Sequence, residues 1–339
     1  MFFNGGGACW DDATCLTSLV KGARPTYNPS INNANSPIGA GGLFDDDNAE
    51  NPFKEWSKVF IPYCSGDIHV GSKSVTYIDD GSLTGYSGVP VTVKHHGFDN
   101  FLAVREWIKG RFSTENMLKK LLVTGSSAGG YGATLNFPYL QDAFPKTNAI
   151  LLSDAATAVV TQGFLDNVFF PEGNWNLEKT LHKIYVKDFN NHYSVASFNA
   201  TLIEKLTTSY PKGRFAQYTT EDDVVQMQFL KIMTKIDSGF IDPLDWGFTG
   251  ATQEDQGIWF SWNKQMEDSL ADIDYHTVNY QYYMGQGTVH TILTDAFATA
   301  SIPHPFYDEH SANNVWFSDW IDLFVNSTEF KKESLKYIQ

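Results

Sequence analysis

The chain has 339 residues, of which 42% are hydrophobic and 19% charged, the balance of a folded globular protein able to fill one large core. Its formal net charge of −15 excludes a nucleic-acid backbone as partner and disfavours anionic membranes, because both would be repelled. No run approaches the roughly 20 apolar residues of a membrane-spanning helix, and aromatic residues, at 15%, are numerous enough to line a groove for sugars, aryl groups or acyl chains as well as to fill a core.

In chain order, Met1-Phe2-Phe3 reads as the end of a strand that runs into Gly5-Gly6-Gly7. The charged start and long apolar run of a signal peptide are missing, so the chain is expected to be a trimmed form of a longer one, folding as a single domain over 1–339. Residues 21–55, rich in Asn, Pro, Gly and Asp, read as an insertion. A short apolar strand is expected at 59–61, closed by Pro62. Helical spacing follows in Phe98, Phe101, Leu102, Val104, Trp107 and Ile108. Buried strands are expected at 121–124 and 149–152, with a helix starting near Ala128 between them. Residues 156–212 carry helical patterns without a strand and read either as a cap over a site or as a lateral decoration. A strand at 215–219, a helix at 224–236, a strand at 280–284 and a closing helix at 315–325 complete the pattern. Apolar strands alternating with helices predict an α/β fold, with a mostly parallel sheet covered on both faces.

Gly125-Ser126-Ser127-Ala128-Gly129 matches G-x-S-x-G. It stands between an apolar strand and a helix, the context in which this pattern forms the nucleophile elbow of an α/β-hydrolase. Ser127 is the expected nucleophile. A phosphate-cradling turn would want a Lys near its end, and none occurs before Gln141. Attack on an ester carbonyl needs backbone N–H donors for the oxyanion. Ala128, after the nucleophile, and Gly6 and Gly7, after the first strand, are the expected donors. In this fold the acid and the histidine base follow the serine on loops after later strands. Asp223, after the strand at 215–219, is the expected acid, with Asp154 as its competitor. His290, after the strand at 280–284, is the expected base, with His304 and His310 as alternatives. Cys9 and Cys15, six positions apart, allow either a local disulfide or, with Cys64, three thiols. Asp45-Asp46-Asp47 lacks the spaced ligands of a calcium loop and reads as a solvated acidic loop. His69 reads as structural, with substrate contact as the alternative. Asn199-Ala200-Thr201 and Asn326-Ser327-Thr328 match the short glycosylation acceptor pattern.

Taken together, Gly5-Gly6-Gly7-Ala8-Cys9, Gly125-Ser126-Ser127-Ala128-Gly129-Gly130, Asp223-Val224-Val225-Gln226, Gly287-Thr288-Val289-His290 and Tyr63-Cys64-Ser65-Gly66-Asp67 resemble the pectin acetylesterase/Notum family of α/β-hydrolase serine esterases. The resemblance covers roughly 2–325 and looks closest to short bacterial members. It implies catalytic roles for Ser127, Asp223 and His290, oxyanion roles for Gly6, Gly7 and Ala128, a Cys9–Cys15 disulfide with Cys64 unpaired, and an extracellular or periplasmic setting. Plant members differ in having a Trp close to the position of Ala8 and a Cys at the position of Ser126. The expected activity is cofactor-free and metal-independent hydrolysis of a carboxylic ester, foremost an acetylated polysaccharide such as pectin. The alternatives are a polyester or an aryl or short-chain acyl ester, and a binding protein on a dead hydrolase fold.

Overall fold

The structure, a computed structural model, describes residues 1–336 apart from 20–24, 33–34, 80, 82–87, 89, 113–117, 170–172 and 190–193. Its strands are β1 (Phe2–Phe3), β2 (Phe60–Ile61), β3 (Lys73–Ile78), β4 (Pro90–His95), β5 (Leu121–Ser126), β6 (Ala149–Asp154), β7 (Arg214–Thr220), β8 (Tyr280–Gly285) and β9 (Leu335–Lys336). Among the described residues, seven of these form one sheet in the order β2-β1-β5-β6-β7-β8-β9. Every neighbouring pair in it is parallel. Strands β3 and β4 make a separate antiparallel hairpin.

The helices are α1 (Asp12–Leu19), α2 (Gly97–Arg111), α3 (Ala128–Ala143), α4 (Gln162–Val168), α5 (Leu177–Thr180), α6 (Lys183–Phe189), α7 (Phe198–Ser209), α8 (Val224–Asp237), α9 (Gln253–His276), α10 (Pro305–Asp308) and α11 (Phe317–Asn326). Side chains alternate across each strand, so the sheet feeds two cores. Val123, Leu151 and Phe215 join Phe137 and Leu140 of α3, Met227 of α8 and Trp262 of α9 on one face. Leu122, Ile150, Leu152 and Tyr218 meet Phe317, Trp320, Ile321 and Phe324 of α11 on the other. A side chain of this kind contributes about 1.5–3 kcal/mol when fully buried. With both faces covered, β5 and β6 are buried at every position, which is why they read as unbroken apolar runs.

Strand β1 lies between β2 and β5. From this junction the strand order runs outward in opposite directions, so the loops at the carboxyl ends of β1 and β5 diverge and leave a crevice. Those two loops carry Gly5-Gly6-Gly7 and Ser127. The segment 156–212 folds as α4 to α7 and lies against the first core through Phe164, Leu165, Phe198 and Leu202.

Candidate active site

Ser127 joins β5 to α3 with φ 58° and ψ −124°, a left-handed conformation that costs a non-glycine residue on the order of 1–3 kcal/mol. The turn is tight enough to exclude side chains around it. A Cβ on Gly125 would lie 2.4 Å from the Gly129 carbonyl oxygen and 2.5 Å from that of Phe3, and one on Gly129 would lie 1.9 Å from the Phe3 oxygen. The Ser127 N–H donates to the Asp154 carbonyl at 2.8 Å, tying the elbow to the end of β6. The hydroxyl stands at the amino end of α3, where the helix dipole presents its positive pole.

Asp223 caps α8. Its Oδ1 accepts the backbone N–H groups of Val225 at 3.0 Å and Gln226 at 2.9 Å, and its Oδ2 accepts the Gln226 side-chain amide at 2.8 Å. Both oxygens lie 2.8 Å from Nδ1 of His290. Asp223 is 0% exposed and His290 2%, so this pair is shielded from water. With Nδ1–H donating to the carboxylate, the neutral ring presents Nε2 as an acceptor. Nε2 is buried without a hydrogen-bond partner, the Ser127 hydroxyl included, and the ring lines the same recesses as Ser127. Gln226 explains the D-x-x-Q spacing. One turn on from the acid, it holds the carboxylate with Nε2, while its Oε1 accepts from the N–H and hydroxyl of Thr157, both at 3.0 Å.

Two recesses meet between Ser127 and His290. The inner one, about 70 Å³, is walled by apolar side chains including Trp10, Leu135, Phe164, Phe198, Leu202 and Met233. Helices α4 and α7 supply one wall, so the segment 156–212 covers the site from the side. The outer recess is an open groove of about 540 Å³ edged by Asn4, Asn28, Asn35, Thr291, Thr294 and Phe297. Gly7 and Ala128 line the inner recess, and Gly6 and Gly7 the outer one. Gly7 has φ 77°, and a Cβ there would lie 2.0 Å from the Thr26 oxygen, so no other residue fits. The loop is pinned by Ala8 N–H to Thr26 O at 3.0 Å and Asn28 N–H to Gly6 O at 2.9 Å.

Asp154, the competing acid, does not face Nδ1 of His290. Its carboxylate accepts from the Ser126 hydroxyl at 2.6 Å and from the N–H groups of Ile292 and Leu293 at 3.2 Å, linking the elbow strand to the loop that carries the histidine. Burial pushes this carboxyl up to about 7, against the opposing effect of those bonds. His304 is exposed and pairs with Asp295 at 3.0 Å, and His310 packs on Trp316 at 5.0 Å. Neither lines the two recesses. His69 is buried behind Asn4 rather than presented to the groove. Cys9 and Cys15 form a disulfide, and Cys64 is free and half-buried. Asp46 pairs with Lys58 in an exposed loop. Asn199 is buried and bonded to Gln217 and Ser269, closed to glycosylation in the folded chain. The Gln226–Thr157 link and the Ser126–Asp154 clamp were not read from the sequence. Their local signs were Gln226 in the D-x-x-Q run and the polar Ser153 and Asp154 that end the apolar strand β6.

A family profile described as Pectinacetylesterase matches residues 1–238. Pectin acetylesterase 4 of Arabidopsis thaliana is 24% identical over 188 residues, 54% of this chain but only 40% of that protein. Crystal structures of the Wnt deacylase Notum from Drosophila, in two crystal forms, superpose with TM-scores of 0.56 and 0.51 at 15% identity, covering 99% and 98% of this chain and 86% of each Notum chain. That likeness shows a shared α/β-hydrolase fold. Among the described residues no helix is long and apolar enough to cross a membrane.

Proposed function

The chain belongs to the pectinacetylesterase family, and we propose that it is a serine esterase, a single catalytic domain that hydrolyses acetyl esters of polysaccharides outside the cytoplasm. In this reading Ser127 Oγ attacks the ester carbonyl while Nε2 of His290 takes its proton, and Asp223 holds the ring and stabilises the imidazolium. The N–H groups of Gly6, Gly7 and Ala128 receive the oxyanion. The imidazolium then protonates the leaving alcohol, and water activated by His290 cleaves the acyl-enzyme. The observation that carries the reading is the free, buried Nε2 of a carboxylate-held histidine lining the same recesses as a strained serine.

The two recesses support the choice of ester. The inner one holds a short acyl group: a dry cavity that binds benzene is ~150 Å³, about twice the volume here. The outer groove has room, and asparagine and threonine donors and acceptors, for a hydroxyl-rich polymer. The disulfide fits an oxidising compartment. Phe297, 41% exposed and edge-on to His290 at 5.0 Å, favours a second reading, an aryl ester or aromatic polyester in the groove.

Two experiments test these statements. Ser127→Ala should lower p-nitrophenyl acetate turnover by about 10⁴-fold or more, and normal turnover by that variant would overturn the serine mechanism. Across p-nitrophenyl esters from acetate to dodecanoate, kcat/KM should peak at the shortest acyl groups, with acetate released from acetylated pectin or xylan. A peak at the longest chains contradicts the acyl assignment, and cleavage of an aromatic polyester without acetate release favours the second reading.

A further inference from the structure

We propose that His69 is the positioning residue of the oxyanion loop, acting through the carbonyl of Asn4. The proposal rests on the reading of Ser127 as nucleophile and of Gly6 and Gly7 as donors. Three consecutive glycines have no side chains to lock their own peptide planes, so the direction of their N–H groups must be set from outside. Asn4, the residue before the run, is its upstream attachment, with the Gly6 carbonyl held further along by Asn28 N–H at 2.9 Å. Its N–H donates to Ile61 O at 3.0 Å, its side-chain amide donates to Asn35 Oδ1 at 2.9 Å, and its carbonyl accepts from Nε2 of His69 at 2.8 Å. Because a carbonyl only accepts, the imidazole must carry its proton on Nε2. The peptide plane fixed in this way is the one that enters Gly5, whose Cα packs so closely on the elbow that a Cβ would lie 2.7 Å from Ser126 O and 3.2 Å from Ser127 Cβ.

The surroundings of His69 are built to hold one ring in one place. Ile68 and His69 both have left-handed backbones, with φ 47° and 65°, a conformation two successive non-glycine residues keep only when their neighbours impose it. Those neighbours come from several elements. The buried Asp67 carboxylate accepts from His69 N–H at 3.1 Å, the Ser65 hydroxyl at 2.5 Å and Gly97 N–H at 2.7 Å. Ile68 N–H donates to the Tyr63 hydroxyl at 2.8 Å. From α3, the helix of the nucleophile, Asn136 donates to His69 O at 3.0 Å. The ring packs on Tyr63 at 4.6 Å and edge-on to Phe3 at 5.2 Å. Burial holds its pKa down to about 4, so at neutral pH the ring is an uncharged donor. One residue thus connects the oxyanion loop, the nucleophile helix and the turn after β2.

The test compares His69→Gln with His69→Met, side chains of equal length that differ in the N–H donor, and adds His69→Phe, which keeps ring packing without a donor. The readouts are thermal midpoint, kcat and KM for p-nitrophenyl acetate, and inhibition by an alkylboronic acid, whose tetrahedral adduct places an oxygen in the oxyanion site. A misplaced donor costs on the order of a hundredfold. The Met and Phe variants should therefore lose about that factor in kcat with KM nearly unchanged, weaken boronate inhibition in parallel, and melt within a few degrees of each other and of His69→Gln. His69→Gln should recover much of the loss. Equal kcat in the Gln and Met variants, or lost kcat with undiminished boronate affinity, overturns the proposal. Ser127→Ala in the same assay separates the two levels: retained hydrolysis there removes the serine reading itself, whereas an inactive Ser127→Ala beside equal Gln and Met variants removes only the role of His69.

Discussion

At residue scale, the chemistry of the site is carried by contacts of very different legibility. Ser127 and its flanking glycines were readable because the elbow leaves no space for a Cβ at Gly125 or Gly129, so geometry is written directly into residue type. The pairing of Asp223 with His290 was readable because each follows a strand end. The Asp154 carboxylate was ambiguous from sequence, since it too follows a strand and could have served as the acid. Its contacts to Ser126 and to the backbone of Ile292 and Leu293 join segments far apart in the chain, and no local pattern records such a clamp. A pH dependence belongs to this residue. Burial raises its pKa from 3.8 to about 7, so the folded chain binds that proton more tightly than the unfolded chain. The resulting stabilisation is complete below about 3.8 and is lost as pH rises through about 7, following linkage between protonation and folding. Thermal midpoints of wild type should therefore fall relative to Asp154→Asn across that interval, whereas a constant difference between the two would contradict the assignment.

At element scale, β5 to β8, α2, α3, α8 and α11 were visible as apolar runs or helical spacing, with ends that differ from expectation by three residues or fewer. Among the elements not foreseen are the hairpin β3–β4 and helix α9. The hairpin β3–β4 alternates exposed positions with the buried or half-buried Val75, Tyr77, Val91, Val93 and His95, a period-two pattern that is present in the sequence but sits among polar and charged residues rather than in an apolar run. Helix α9 buries Trp262, Met266, Leu270 and Ile273 along one stripe, but the exposed Trp259 and Phe260 and the interior Gly257 blur that stripe in sequence. What fastens α9 to α8 is a buried ion pair, Lys231 Nζ to Asp255 Oδ1 at 2.7 Å, with the two side chains 5% and 0% exposed. Removing one member strands the other charge in the interior. Lys231→Met should cost about 3–5 kcal/mol, measured by urea unfolding, and a loss within about 0.5 kcal/mol, the usual size for a surface substitution, would show that the pair does not anchor these helices.

At the scale of the whole molecule, the seven-stranded sheet separates two cores and brings the carboxyl ends of β1, β5, β7 and β8 to one rim, where Gly6, Gly7, Ser127, Asp223 and His290 lie. The alternation of apolar strands with helices foretold a sheet covered on both faces, while 156–212 stayed open between a cap and a lateral decoration; Phe164, Phe198 and Leu202 of that segment wall the inner recess. Fully buried tryptophans lie on both faces, Trp10, Trp175 and Trp262 on one and Trp320 on the other, so fluorescence reports both cores. If the chain folds as one unit, fluorescence and far-ultraviolet circular dichroism should trace a single coincident urea transition. Separate midpoints would mean that the two cores unfold independently. In the proposed reaction one serine, relieved of its proton by His290, attacks the ester, and treatment with a fluorophosphonate followed by peptide mass spectrometry probes that serine. The expected result is one adduct per chain, on Ser127, formed in step with loss of esterase activity and abolished in His290→Ala. An adduct on any other residue, or full activity in the labelled protein, would rule out Ser127 as the nucleophile.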